Sequence, residues 1–514
     1  MSAAIERIQL AYSPDRWREY GHQLIELLAE HLRTVTTGVG PVLNWGSPPQ
    51  NIAAATARLH EPASDELIDR LRAAVSDAAH GQNLHHPRYI GHQVPASSPV
   101  AALFDLVGSV TNQVMAIYEM GPWASAVEQS LVLELGQRFG LPVGEFAGLI
   151  THGGSLANLT ALLTARNVSL AGAWEHGTAR PGRPPVLLVQ ADAHYGVVRS
   201  AGILGLGTRQ VIKVPLDERR RMNPVALDQL LASLRSVGQP VVAVVACACA
   251  TPIGAFDPID AIADVCARHQ VWLHVDAAHG GAAVFSDTHR HLLAGLERAD
   301  SFICDAHKLL FVPALCAFVF YRNKAHRLAT FHQEAAYLFD PSTPAGTAEY
   351  DSGVATLECT KRAAGFGLWG LWSMFGPQLF ADLVDGCFSR ARELWTLLNA
   401  QPDFVTLHEP QCNILCFRYV PEALRHRPAV EIGQFNQQIR RVLIESGDSY
   451  LVQTTLDGVP ALRATVMNPL TSTDDLCHLL SPSAAAAVNC SRSCGERDLN
   501  TSRFAPARGT SPRS

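Results

Sequence analysis

Cysteine is absent from everything before position 247 of this 514-residue chain, although twelve cysteines follow. They contain no pair of C-x-x-C units, so nothing points to a structural zinc site. Cys247, Cys249, Cys304 and Cys316 sit in apolar runs, the usual setting of reduced, buried thiols. Charge is scarce too: only 17% of residues are Asp, Glu, Lys or Arg, and the net charge of -6 gives no basic footprint for nucleic acid. The longest apolar run, 241–250, has about half the length needed to span a bilayer and reads as a buried strand. Residues 1–10 mix acidic and basic side chains and lack a signal peptide's apolar core. No internal repeat is visible. These absences predict a soluble, cytoplasmic protein that binds no metal, membrane or nucleic acid.

What is present is a large apolar fraction, 47%, in a chain long enough for two or three domains. Between 147 and 321, short β-rich runs at 148–151, 186–190, 210–214, 241–247, 271–276, 301–305 and 316–321 alternate with helical stretches at 155–171, 195–204, 224–237 and 258–269. Strands apolar on both faces and separated by helices predict an α/β fold: a mainly parallel seven-stranded sheet with helices on both sides. Ligands in such folds bind at the carboxyl ends of the strands.

Around this core, Ser13-Pro14-Asp15 starts a helix, 36–51 reads as a loop rich in glycine and proline, and a second helix starts near Ser64. This helical arm, 1–84, is too short for its own core and packs on the main domain or another subunit. The large domain covers 85–372, with a helix near 100–114. The segment 322–350 has weak periodicity and suits a lid. A small α+β domain follows at 373–480. From 481 to 514 the composition shifts to Ser, Arg, Ala, Pro and Gly, which predicts a disordered tail.

Lys308 stands out, flanked by Phe302, Ile303, Leu309, Leu310 and Phe311. An ammonium there is costly unless paired or neutralised. It either snorkels out at a strand end or forms a Schiff base with an aldehyde cofactor. Upstream, Thr151-His152-Gly153-Gly154-Ser155 follows a strand and opens a helix. Glycines and free helix N–H groups there make a cup for phosphate, with Gly154 and Ser155 its nearest members. No Gly-Lys-Ser/Thr follows, so it is not a P-loop, and the glycine spacing is not that of a dinucleotide site. Asp276 ends another strand; alone it could cap a helix or bind a metal, but no partners stand at ligand spacing. His194 and Thr251 end two more. In order, these strand ends present a phosphate cup, an imidazole, a carboxylate and a lysine. Pyridoxal phosphate needs that set: Lys308 for the imine, Asp276 for the pyridine nitrogen, His194 stacked on one face, small Ala278 leaving room on the other, and His307 for phosphate contact or proton transfer.

These residues resemble the group II pyridoxal-phosphate-dependent amino acid decarboxylases, the family of aromatic amino acid, glutamate, histidine and 2,4-diaminobutyrate decarboxylases. The resemblance runs from about 85 to 470 and rests on His86-Pro87-Arg88-Tyr89, Gly153-Gly154-Ser155, Ala193-His194, His274-Val275-Asp276-Ala277-Ala278 and Asp300-Ser301 through His307-Lys308. It implies fold type I, the pyridoxal-phosphate-dependent transferase-like architecture, and a homodimer with shared active sites. It further implies conversion of an L-amino acid to its amine and carbon dioxide. Tyr337 matches a loop tyrosine that protonates the product carbon. Leu156, Asp305 and His279 depart from common patterns, and Asp305 stands where an asparagine often meets the phosphate. His92, Gln93, Tyr118, Glu119 and His279 are candidates to line the substrate pocket. Arg463 would hold a carboxylate or a structural ion pair. An aromatic, acidic or diamino substrate all remain open. So do transamination, lyase chemistry, decarboxylation-dependent oxidation and, from another class, a non-catalytic cofactor-binding protein.

Overall fold

Seven short runs of Val, Ile, Leu, Ala and Phe assemble into one sheet. In the computed structural model, which describes residues 3–62, 67–179, 181–328, 330–331 and 350–480, they are β1 (Ala147–Thr151), β2 (Val186–Gln190), β3 (Val211–Val214), β4 (Val241–Cys247), β5 (Trp272–Asp276), β6 (Ser301–Asp305) and β7 (Ala317–Tyr321). Their order is β1-β7-β6-β5-β4-β2-β3. Strand β7 runs antiparallel to β1 and β6, and the other pairings are parallel. The sheet is therefore mainly parallel, and β1, β2, β4, β5 and β6 all end at the same edge.

Side chains alternate across this sheet with period two, and both faces are apolar. Val244 and Ala246 join Leu188, Val275, Phe302, Phe318 and Phe320 in one core, under the helices Pro122–Arg138, Pro224–Ser236 and Ile259–His269. Ala243 and Val245 join Leu187, Val189, Ile303 and Val319 in the other, under Gly154–Ser169 and Tyr195–Ile203. A second sheet is antiparallel and four-stranded, in the order β10-β11-β9-β8. Its strands are β8 (Phe404–Thr406), β9 (Ile414–Tyr419), β10 (Val452–Leu456) and β11 (Val459–Thr465). Helices Gln378–Asn399 and Ala429–Ser446 cover it through Leu394, Leu398, Phe435 and Ile439.

At the N-terminus Ser13 caps the helix Pro14–Thr36, its Oγ accepting from the Arg16 N–H. The expected loop at 36–51 is shorter than its glycines and prolines suggest, because a helix, Pro48–Leu59, begins inside it. Pro48 and Pro49 occupy first-turn positions, where a missing N–H costs nothing. Gln50 Oε1 accepts from the Ser47 N–H at 3.2 Å and from its hydroxyl at 2.8 Å. The next described helix is Leu67–Ala79. Tyr337, most of the 322–350 segment and the 481–514 tail lie outside the described residues. Among those described, no helix is long and apolar enough to cross a membrane, and no group of three or more His, Cys, Asp or Glu side chains could hold a metal ion.

One buried ion pair ties the chain that returns at residue 350 to the sheet edge. Lys361 Nζ lies 2.7 and 2.8 Å from the two Glu128 carboxylate oxygens and 2.7 Å from the Ile150 carbonyl of β1. Both side chains are almost wholly buried. Removing one partner leaves an uncompensated charge. Glu128→Ala is expected to cost about 3–5 kcal/mol in urea unfolding, and Glu128→Leu combined with Lys361→Met much less. Equal losses in the two variants would show that stranded charge is not the cause.

Candidate active site

The shared carboxyl edge of β1, β2, β4, β5 and β6 frames a cavity of about 320 Å³. Gly154, Ser155, His194, Thr251, Asp276, Ala278, Asp305, His307 and Lys308 all line it, as do Gln93 and His279. Period-two alternation explains much of this. His274 and Asp276 share the β5 face that looks toward the helix Gly154–Ser169, since Val275 between them faces the opposite core. On β6, Ser301 and Asp305 share that face with Ile303.

Asp276 is held from two sides. The Asn158 amide donates to its Oδ2 at 3.0 Å, and the Ala278 N–H donates to Oδ1 at 3.2 Å. Behind it runs a hydrogen-bonded line. Trp272 Nε1–H donates to Ser301 Oγ at 3.0 Å; Ser301 stands 2.9 Å from His274 Nδ1, and His274 Nε2 stands 2.9 Å from Asn158 Oδ1. Since the Asn158 amide nitrogen serves Asp276, its oxygen accepts from His274 Nε2–H. His274 Nδ1 then accepts from the Ser301 hydroxyl. Burial agrees with this neutral ring, pushing the His274 imidazole down to about 4.

Lys308 Nζ lies 3.2 Å from Asp305 Oδ2, and His307 Nε2 lies 3.7 Å from the same oxygen. Burial works against the Lys308 charge, but Asp305 and Asp276 outweigh it and hold its ammonium above the ordinary lysine value. Burial likewise pushes the Asp305 carboxyl up, against the opposing pull of Lys308 and His307. His307 Nδ1 donates to the Cys316 carbonyl at 2.8 Å, which fixes the ring. His194 caps the helix Tyr195–Ile203, its Nδ1 accepting from the Gly196 N–H at 3.1 Å. Burial pushes its imidazole down.

The other candidates spread out. His279 Nε2 stands 2.8 Å from Asn413 Oδ1, so this buried ring donates to the residue just before β9. Arg463, on β11, is buried and does not line the cavity, but its charge acts on both His279 and His92. His92 does not line the cavity; its Nε2 is 3.2 Å from the Tyr450 hydroxyl. Tyr118 is not brought there either: its N–H donates to Asp351 at 2.7 Å and its ring lies 6.1 Å from Tyr350. Nor does Glu119 line it.

Sequence reasoning missed Asn158, His274 with Ser301, Asn413, and the pair of cavity-lining His152 with Glu358. His152 Nδ1 is 2.5 Å from Glu358 Oε1. Asn158 and His274 carried a usable signal, one helical turn after Gly154 and two strand residues before Asp276. Glu358 carried none.

The site suits pyridoxal phosphate by its unmet polar groups as well as by its residue types. Gln93 Nε2, His152 Nε2, His279 Nδ1, Asp305 Oδ1 and both Nε and Nη2 of Arg463 are buried without a hydrogen-bond partner. Buried polar atoms normally have partners, and those of Gln93, His152, His279 and Asp305 line the cavity, which marks it as a receptor for a polar molecule. Gly153, at φ +101°, turns the chain into the cup.

Residues 59–420 match the pyridoxal-dependent decarboxylase conserved domain. The chain is 31% identical over 416 residues to cysteine sulfinic acid decarboxylase of Rattus norvegicus, covering 80% of this chain and 83% of that protein. It is 28% identical over 472 residues to a human acidic amino acid decarboxylase, covering 90% and 89%. Against L-2,4-diaminobutyrate decarboxylase of Acinetobacter baumannii it is 29% identical over 423 residues, covering 79% and 80%. The crystal structure of mouse CSAD superposes with a TM-score of 0.85 at 27% identity, covering 92% of this chain and 99% of that one. The fold is shared with Oryza sativa TDC bound to PLP and tryptamine, at a TM-score of 0.85 and 22% identity over 93% and 99% of the two chains.

Burial, Lys308 and Arg463 push the His279 imidazole down to about 3, with Asn413 opposing. Its folded value is below its unfolded one, so the unfolded chain takes up the proton first. The stability it contributes is present above about pH 6.5 and is lost as pH falls toward 3. Moving from pH 7 to 5 should cost about 2 kcal/mol through this ring alone. In urea titrations at the two pH values, His279→Gln should lose correspondingly less than wild type. An equal acid loss in both would assign the effect elsewhere.

Proposed function

The chain belongs to the pyridoxal-dependent decarboxylase family, and on that footing we propose that this amino acid decarboxylase takes an acidic L-amino acid as its substrate. The choice rests on the relatives matched over about four fifths or more of the chain, a cysteine sulfinic acid and an acidic amino acid decarboxylase, and Arg463 is the cation that would meet a substrate anion. Its side chain is buried on β11, near enough for its charge to act on His279, with Nε and Nη2 unpartnered. A buried guanidinium left in this state is a receptor for a planar anion. The carboxylates of the cavity wall are engaged elsewhere: Asp276 accepts from Asn158 and Ala278, and Asp305 faces Lys308 and the glycine cup. A diamino substrate would need one of them for its second ammonium. The reading of a diamino acid is favoured by one feature, the unpartnered Oε2 of Glu358 beside His152.

Bound in the cavity, pyridoxal phosphate supplies the electron sink for the charge left behind when carbon dioxide departs. The chain's own residues do the rest. Lys308 would provide the amine that holds the cofactor. Asp276, fixed by Asn158 and Ala278, would hold a proton at the pyridine nitrogen. Gly154 and Ser155 at the helix N-terminus would hold the phosphate, with Thr251 and His307 beside them. His194 would offer a flat face, and Ala278 would leave the other open. Arg463 would orient a substrate carboxylate, with Gln93 and His279 on the cavity wall. Tyr337, outside the described residues, is proposed to deliver the proton to the α-carbon.

The proposal includes a cytoplasmic homodimer. The helices Pro99–Thr111 and Phe366–Phe375 pack on one another and expose Leu103, Leu106, Val107, Val110, Met374 and Phe375, an apolar area suited to a second copy.

Lys308→Ala should abolish the near-visible absorbance of the bound cofactor together with turnover; full turnover in that variant would sink the assignment. Carbon dioxide release across a panel of amino acids should favour aspartate-, glutamate- or sulfinate-type substrates. Arg463→Met should raise KM or lower kcat for them at least tenfold. A preference for diamino or aromatic substrates would replace the acidic reading.

A further inference from the structure

The glycine cup contains a second acidic group where a phosphate would be expected to meet only donors. Asp305 ends β6 and is 2% exposed. Its carboxylate packs directly on Gly154: a Cβ built there would lie 2.5 Å from Asp305 Oδ2 and 2.9 Å from Oδ1. The two oxygens differ in what they touch. Oδ2 faces the Lys308 ammonium at 3.2 Å and His307 Nε2 at 3.7 Å. Oδ1 is buried and has no partner, although it lies against the first residue of the 16-residue helix Gly154–Ser169.

Two bare anions so close in a buried site repel strongly, and Lys308 faces only one oxygen of the carboxylate. Lys308 is engaged with Oδ2 and is the amine proposed to hold the cofactor, so it cannot also serve Oδ1. A proton on Oδ1 resolves the conflict and gives the orphaned atom a hydrogen bond. On the reading that this cup holds the cofactor phosphate, we propose that Asp305 meets it as a carboxylic acid, donating from Oδ1, so that phosphate capture takes up one proton.

The surroundings favour this protonation. From β5, Asp276 adds negative charge; from the helix, Gly154 and Ser155 present backbone rather than a cation; on its own strand Cys304 is buried and uncharged. Burial raises the carboxyl, against the opposing pull of Lys308 and His307. The proton is held at low pH and lost as pH rises, so anion affinity falls toward alkaline pH. An asparagine at 305 would donate the same hydrogen bond with no proton to lose.

The test uses apoenzyme and two probes between pH 6 and 9. Pyridoxal phosphate binding is followed by absorbance and protein fluorescence. Sulfate, which does not titrate in this range, is measured by its competition with pyridoxal phosphate. For wild type, the sulfate dissociation constant should rise about tenfold per pH unit on the alkaline side, the slope of one linked proton. In Asp305→Asn that slope should disappear while binding near neutrality is kept or improved. Titration of any other group would persist in the variant, so an unchanged slope there overturns the proposal, as does a flat wild-type profile. If Asp305→Asn fails the check of its fold by circular dichroism, Asp305→Ser serves, with the same loss of slope expected. Failure of sulfate to compete with bound pyridoxal phosphate is a different result: it removes the cup as the phosphate site.

Discussion

Pairing the Lys308 ammonium in an apolar setting is the constraint that the carboxyl edge of the large sheet answers. Phe302, Ile303, Leu309, Leu310 and Phe311 are buried and Lys308 itself is partly so, and Asp305 and Asp276 stand near to support its charge. Two carboxylates close together create a second problem, and each is solved differently. Asp276 is satisfied by donors: Asn158, the Ala278 N–H and, behind them, a line in which each group passes its hydrogen to the next. Asp305 is satisfied on one oxygen only. Charge balance, more than shape, explains why these residues come from four strand ends and a helix start.

The fold was largely legible because its sheet is buried on both faces. The runs at 186–190, 241–247 and 301–305 coincide with β2, β4 and β6, and the others shift by one residue. Such strands announce themselves by continuous apolar character, and their helices by capping and period. The site was legible wherever a functional residue closes a strand, as with Asp276, or opens a helix, as with Gly154 and Ser155. Lys308 could be found because its neighbours make it anomalous.

What stayed hidden depends on pairings between distant segments. His152 reads as part of a turn until Glu358, brought back to β1 by the Lys361–Glu128 pair, meets its ring. Arg463 could equally have been a structural ion pair; its unpartnered nitrogens became visible only once β11 was seen to bury it without a carboxylate. Tyr118 seemed a pocket residue by proximity in sequence, yet Asp351 and Tyr350 hold it elsewhere. The proline-rich start of the helix Pro48–Leu59 was hidden by composition, since prolines that begin a helix and prolines that forbid one look alike until the capping partner is counted.

The contact between Gly154 and Asp305 has a consequence for how this site can vary. With no room for even a methyl group between them, the two positions behave as one locus despite their distance in sequence. A larger residue at 154 requires Asp305 to move or shrink, and shrinking 305 removes one of the two counter-charges of Lys308. Substitutions at the cup are therefore coupled: a side chain at 154 is accommodated better once 305 is smaller.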